Sequence, residues 1–320
     1  MKTLRKKQTG ILILCAAAAA ALYALGVSGL LSSNAMRYLI QIFLYIALGE
    51  AWNLLSGYAG MTSLGQQLYV GIAGYAVAVA TALFRQPLPV GLLGAALVAA
   101  AVSLLLFVIL YKMQGMYFAI ATWVAAEAAE KIVLNWKFVG QGSGMTIRLS
   151  PYPTTQQIYL IALTVCCLTL VLVYLTVHSK LGMGLRAMRD EPVAAAAIGI
   201  NLMKNRLIVY TLSALISAMA GGVFFLNKGT VYPDSGFSIG WTVSTVFICI
   251  IGGTGTITGP VAGAVLYVLL REYLAHYPGW SNIMLGIITL LVIFFLPDGI
   301  VGSLRKRMHK RETKRSAWPS

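Results

Sequence analysis

Ten apolar stretches follow one another along this chain, and they leave it few ways to fold. They run over residues 11–32, 36–56, 62–84, 88–111, 116–135, 156–178, 207–227, 239–252, 258–275 and 281–297. A helix needs about 20 mainly apolar residues to cross the hydrocarbon core of a bilayer. In lipid, each backbone amide must find its partner within its own segment, so such runs are read as helices. Charged residues make up only 10% of the chain, and the mean hydropathy is +0.81. A soluble domain carries about 25% charged residues. The expected fold class is therefore an all-α polytopic membrane protein with about ten transmembrane helices. The eighth stretch is short enough to be a half-helix or a re-entrant segment.

The net charge of +15 does not point to nucleic acid, because the basic residues sit in loops and tails beside apolar segments, as membrane topology requires. With the N-terminus inside, 17 of the 24 Lys and Arg residues fall on the inner side. Both termini and the loop 179–206 are thus expected in the cytoplasm. The start, with Lys2, Arg5, Lys6 and Lys7 ahead of an Ala-rich run, resembles a signal peptide. The apolar run from Ile11 to Leu31 is too long for a signal core and is expected to stay as the first span. The chain then divides into a basic N-terminus (1–10), a membrane domain (11–303) and a basic tail (304–320) suited to anionic lipid. The four cysteines, Cys15, Cys166, Cys167 and Cys249, lie in apolar runs and are expected as small buried hydrophobes.

The inner loop carries Lys180, Arg186, Arg189, Lys204 and Arg206 with one acidic pair, Asp190 and Glu191. Pro192 suits the first turn of a new helix, the Ala194–Ala197 run favours helix, and Gly199 suits a stop. Two short helices with a bend between them are expected, forming a knob that another protein can grip.

Two glycine-rich stretches interrupt the apolar pattern, Gly57 to Gly65 and Gly252 to Pro260. Such backbone is tolerated at membrane depth only inside protein or beside water. The pair reads either as echoes of a duplication or as two tight turns with close helix packing. The second lacks the Gly-Lys-Ser/Thr ending of a phosphate loop. The outer loops 136–155 and 228–238 are turn-rich and read equally as connectors or as contacts for an outside partner. Ionisable residues inside the spans are functional candidates. Glu50 lies beside Trp52 and Asn53. Glu127 and Lys131 share a helix face at i, i+4 and are expected either to pair or to leave the carboxylate on a hydrated pathway. Arg271 and Glu272 read as structural or snorkelling groups. No histidine, cysteine and carboxylate spacing suggests a metal or a catalytic base, so an enzyme is not expected.

Several stretches together resemble the inner-membrane permeases of branched-chain amino acid ABC importers, of the LivM type. They are Asn53–Gly60 with Ser63–Gly65, Gly115–Thr122 followed by Glu127, Asn135–Trp136 with Gly142–Gly144, and Leu185–Glu191 through Ala194, Ala195 and Gly199–Asn201. Ser213–Ala214, Ala220–Gly222, Gly252–Pro260 and Leu296–Gly299 complete the ordered set. Gln66-Gln67 and Trp123 depart from the family's usual residues. Val193 stands where the importers' coupling motif has an acidic residue.

The resemblance implies a type II importer-like permease in the bacterial inner membrane, moving branched-chain or other hydrophobic amino acids by alternating access. It also implies partners: a second, LivH-like permease, two cytoplasmic ATPases and an extracytoplasmic binding protein. ATP and Mg would be used by the ATPases, with no cofactor on this chain. Glu50, Asn53, Ser63, Gln66, Gln67, Thr122, Trp123 and Glu127 would belong to the substrate pathway. Gly182, Arg186, Arg189, Asp190, Glu191, Ala194, Ala195 and Gly199 would belong to the coupling loop. Urea and short-amide importers use similar permeases. A stand-alone channel or secondary carrier would need no ATPase, and its inner loop would be only a connector.

Overall fold

The computed structural model describes residues 17–29, 31–274, 281–295 and 299–303. The expected basic N-terminus and tail, residues 11–16 of the first stretch, Cys15 and Leu296–Asp298 lie outside the described residues. In chain order the long helices are α1 (Ala17–Val27), α2 (Ser33–Asn53), α3 (Gln66–Ala82), α4 (Leu88–Leu110), α5 (Gly115–Asn135) and α6 (Thr155–His178). Two short helices follow, α7 (Lys180–Asp190) and α8 (Pro192–Ala197), and then α9 (Leu202–Lys228). A single turn α10 (Pro233–Gly236) precedes α11 (Gly240–Gly252), α12 (Thr258–Leu274) and α13 (Ser281–Phe295). Among the described residues, five segments are long and apolar enough to cross a membrane: Ser33–Tyr58, Leu88–Leu110, Thr155–His178, Leu202–Lys228 and Pro233–Gly252. Helix α5 has the length but carries Glu127, Glu130 and Lys131.

Local chemistry sets the ends. The Ser32 hydroxyl accepts from the Ala35 amide at 3.2 Å and starts α2. Thr154 and Gln157 close a reciprocal capping box on α6, and Asn201 Oδ1 accepts from the Lys204 amide at 2.9 Å to start α9. Each satisfies amides that the first helical turn leaves unpaired. The third apolar stretch does not begin as a helix at residue 62. Residues 60–65 form an irregular turn, and α3 starts at Gln66. Ahead of that turn α2 widens into a π-turn over Leu54–Tyr58. The eighth stretch is a 13-residue helix lengthened at its start by α10 into a 20-residue segment.

Helix α2 is the axis of the bundle. It packs against α6, α9, α11 and α12, while α3 is held between α4 and α9. Small residues permit this closeness: a side chain at Gly221 would meet the Val70 Cα at 2.7 Å. Helices α4 and α6 expose apolar side chains such as Leu97, Leu105, Val108 and Leu175, as lipid-facing helices do. The fold is not wholly helical. Strand β1 (Met145–Thr146) pairs antiparallel with β2 (Thr230–Val231), Met145 opposite Val231. The Tyr152 hydroxyl donates to the Leu226 carbonyl. The two turn-rich loops, 136–155 and 228–238, are thus fastened to each other.

Candidate functional site

Eight polar residues proposed from the sequence for a pathway divide into two groups. Six of them, Glu50, Asn53, Ser63, Gln66, Gln67 and Thr122, are at most 2% exposed and lie inside the bundle. Buried polar groups cost free energy unless paired, and most of these are. Gln66 Nε2 donates to Ser213 Oγ at 3.2 Å, and Gln66 Oε1 accepts from Ser217 Oγ at 3.0 Å. Ser213 Oγ itself donates to the Ala51 carbonyl at 2.8 Å, so α2, α3 and α9 meet at one polar knot. Beside it Gln67 Oε1 accepts from the Thr242 hydroxyl of α11, leaving Gln67 Nε2 without a protein partner. Ser213 and Ser217, one turn apart on α9, and Thr242 carry this knot as much as the glutamines do. The i, i+4 spacing of the two serines was the sequence signal for them.

Ser63 and Thr122 hold the irregular turn. Trp52 Nε1 donates to the Ser63 carbonyl at 2.9 Å, and the Leu64 amide donates to Thr122 Oγ1 at 3.0 Å. Thr122 thereby pins α5 to the break between α2 and α3.

Trp123 and Glu127 form the second group. They lie on the outer side of α5, where Met116, Tyr117, Ile120 and Val124 are exposed. Glu127 Oε1 accepts from Trp123 Nε1 at 3.1 Å. The expected Glu127–Lys131 pair is not formed. Lys131 Nζ turns to Glu130 Oε1 at 3.0 Å instead. Both acceptors are within reach of its flexible stem, and Glu127 is already engaged one turn earlier.

Arg271 and Glu272, by contrast, serve structure. Arg271 Nη1 donates to the Tyr45 hydroxyl, and the Tyr38 hydroxyl donates to Glu272 Oε1 at 2.9 Å, which fastens α12 to α2.

The two glycine-rich stretches meet at one end of the bundle. Asn53, last residue of α2, donates through Nδ2 to the Thr256 carbonyl at 2.9 Å and accepts through Oδ1 from the Gly255 amide at 2.8 Å. The Gly255 amide that a phosphate loop would present to an anion is therefore occupied. Glu50 Oε2 sits 3.4 Å from Asn53 Nδ2, and its Oε1 has no protein partner. Gly57 lies against the same loop so closely that a side chain there would meet Asn53 Oδ1 at 2.2 Å and the Gly255 nitrogen at 2.6 Å.

Helices α7 and α8 stand on this end as the two short helices expected from the loop. Glu191 separates them in extended conformation, and Gly199 follows α8 with φ +85°, a left-handed residue that suits glycine. Gly182 and Arg186 lie against the end of α6, with Arg186 Nη2 donating to the Val177 carbonyl at 2.8 Å. Arg189 Nε donates to Asp190 Oδ1 at 2.9 Å, and its Nη1 donates to the Gly57 carbonyl at 2.7 Å. Ala195 is on the buried face of α8, while Ala194 is exposed and Val193 and Ile198 are 77% and 76% exposed. Val193 and Ile198 thus form an exposed apolar tip on a polar, charged element.

Comparison with known proteins places the chain in a family. Residues 34–296 match the family model described as branched-chain amino acid transport system / permease component. The chain is 24% identical over 309 residues to the high-affinity branched-chain amino acid transport system permease protein LivM of Salmonella typhimurium, covering 87% of this chain and 72% of that one. It is 23% identical over 192 residues to the corresponding LivH of Escherichia coli, covering 59% and 61%. A fructose import permease, FrcC of Rhizobium meliloti, is 27% identical over 157 residues, or 47% and 42%. No solved structure matches the chain.

Proposed function

Because this chain belongs to the family of branched-chain amino acid transport permease components, we propose that it is the LivM-type membrane subunit of an ATP-driven importer. Its cargo is a branched-chain or other hydrophobic amino acid. The family membership carries the class of function. The two-helix knob carries the mode of action: α7 and α8 present an exposed apolar tip on a compact base, a form that fits the groove of a partner ATPase. A LivH-like permease completes the pathway, a binding protein delivers the solute outside, and ATP and Mg are consumed by two ATPase subunits rather than by this chain.

In this reading the membrane domain has ten spans, with both termini and the knob in the cytoplasm. The bias of Lys and Arg supports that orientation. The exposed face of α5, with Trp123 and Glu127, then turns toward the second permease and the path between them. A carboxylate facing lipid at the helix centre would cost about 2.5–3.5 kcal/mol on insertion scales.

Purification of the tagged chain from its native membrane tests the proposal. ATPases and a second permease should accompany it, and leucine uptake into vesicles should require internal or external ATP on the side of the ATPases. A chain that emerges alone and moves solute without ATP would be a channel or carrier.

A further inference from the structure

The knob rests against α6 and α9 and, beside them, against the π-turn at the end of α2. Its Arg189 donates to the Gly57 carbonyl, a main-chain acceptor within the π-turn at the end of α2. A π-turn leaves carbonyls outside the regular i to i−4 ladder, so such a group is free to accept from elsewhere. One residue-turn away, Asn53 sews the same end of α2 to the Gly255–Thr256 backbone between α11 and α12. Gly57 has no room for a side chain between these two fastenings, and a side chain at Gly60 would meet Arg189 Cγ at 2.9 Å. Three irregular backbones therefore converge: the π-turn, the α11–α12 loop and the start of the bend between α7 and α8.

Asp190 fixes the guanidinium in place, since Arg189 Nε and Nη2 both lie 2.9 Å from its Oδ1. Charge-assisted hydrogen bonds of this type are stronger than neutral ones and are directional. Movement of α7 must then pull on the Gly57 carbonyl, and through Asn53 on Gly255.

We propose that Arg189, Gly57, Asn53 and Gly255 form a joint that carries displacement of the knob at once to α2 and to the loop that joins α11 to α12. Arg189 and Asn53 are its positioning residues. Asn53, fully buried, acts here as a fastener and contacts no solute. The inference rests on the importer reading above, which gives the knob a partner to move it.

The test uses the assembled importer in proteoliposomes, with solute uptake and ATP hydrolysis measured together. In Asn53→Ala and in Arg189→Met, hydrolysis should persist while solute moved per ATP falls about tenfold, the scale of Asn53's two neutral hydrogen bonds or of Arg189's one charge-assisted bond to Gly57. Asn53 is buried beneath the surface, so its effect cannot come from a lost ATPase contact. The double variant should be no worse than the worse single variant, as for two residues in one linkage. An unchanged ratio in Arg189→Met overturns the joint. So does full additivity in the double variant. If Asn53→Ala fails to assemble, Arg189→Met and Arg189→Lys decide, since that side chain is partly exposed and fills no core; Lys, which keeps a donor, should restore most of the ratio, and no difference between Lys and Met overturns the joint. A wild-type complex that shows no solute-stimulated hydrolysis rejects the importer reading instead.

Discussion

Glu127 is a carboxylate with a single protein donor, Trp123 Nε1. Glu127→Gln keeps an acceptor for that indole, so complex yield should stay within about twofold, the loss being at most one charged bond. Uptake should fall, because an ammonium group meeting the pathway loses its counter-charge. Lys131→Met should not rescue it, since Lys131 pairs with Glu130. Rescue in the double variant would return Glu127 to a structural role. Gln66 makes the opposite case. Gln66→Leu takes the acceptor from the buried Ser217 hydroxyl, while Ser213 keeps the Ala51 carbonyl, and should destabilise the purified protein by about 1–3 kcal/mol; a thermal-unfolding midpoint equal to wild type would count against the knot. The residue types at both places were legible, as rare polar groups in apolar runs. Their partners were not. Gln66 and Ser213 are 147 positions apart, and at Glu127 the helical spacing allows a partner on either side, so reach and competition decide.

Helices α7 and α8 were readable because their signals are local: a proline at the start, a run of alanine and a glycine at a left-handed position. The π-turn was not, because its Leu-Leu-Ser-Gly-Tyr sequence would also continue an α-helix; only the loop packed against Gly57 explains it. Gly199→Pro should distort the end of α8, since proline cannot take a positive φ. Membrane insertion should be intact and solute-stimulated hydrolysis lost, which reconstitution measures directly. Unchanged stimulation would show that α8 needs no fixed end. Small residues in the spans divide in the same physical way. Gly221→Ala drives a Cβ into the Val70 backbone and should impair assembly, whereas a Cβ at Gly94 meets nothing within 4 Å, so Gly94→Ala should leave yield near wild type. Equal yields would mean α3 and α9 separate more easily than their packing implies.

The bundle as a whole has two exposed faces, an apolar one formed by α4 and α6 and one on α5 that is also largely apolar but carries the Trp123–Glu127 pair. Its orientation is open to chemical labelling. Single cysteines at Ser303 and Ser235, in an otherwise cysteine-free chain, should react with an impermeant reagent from opposite sides. Reaction of both from outside would overturn the ten-span arrangement.

Helix α2 brings one more consequence, for how the protein is made. Its segment is the least apolar of the five, with a mean hydropathy of 1.4, yet 78% of it is buried by protein. It carries Glu50 and Asn53 out of the translocon when α9, α11 and α12 have not yet been synthesised. Insertion of such a segment is close to balanced, because each central charge offsets several leucines on the insertion scale. Its residence in the bilayer must therefore be secured late, by helices that emerge long after it. Nascent chains arrested after α6 should show α2 partly exposed to the aqueous side, and chains that extend through α12 should not. Position in the chain and position in the fold are thus opposed: the central helix is among the first made and among the last to be held.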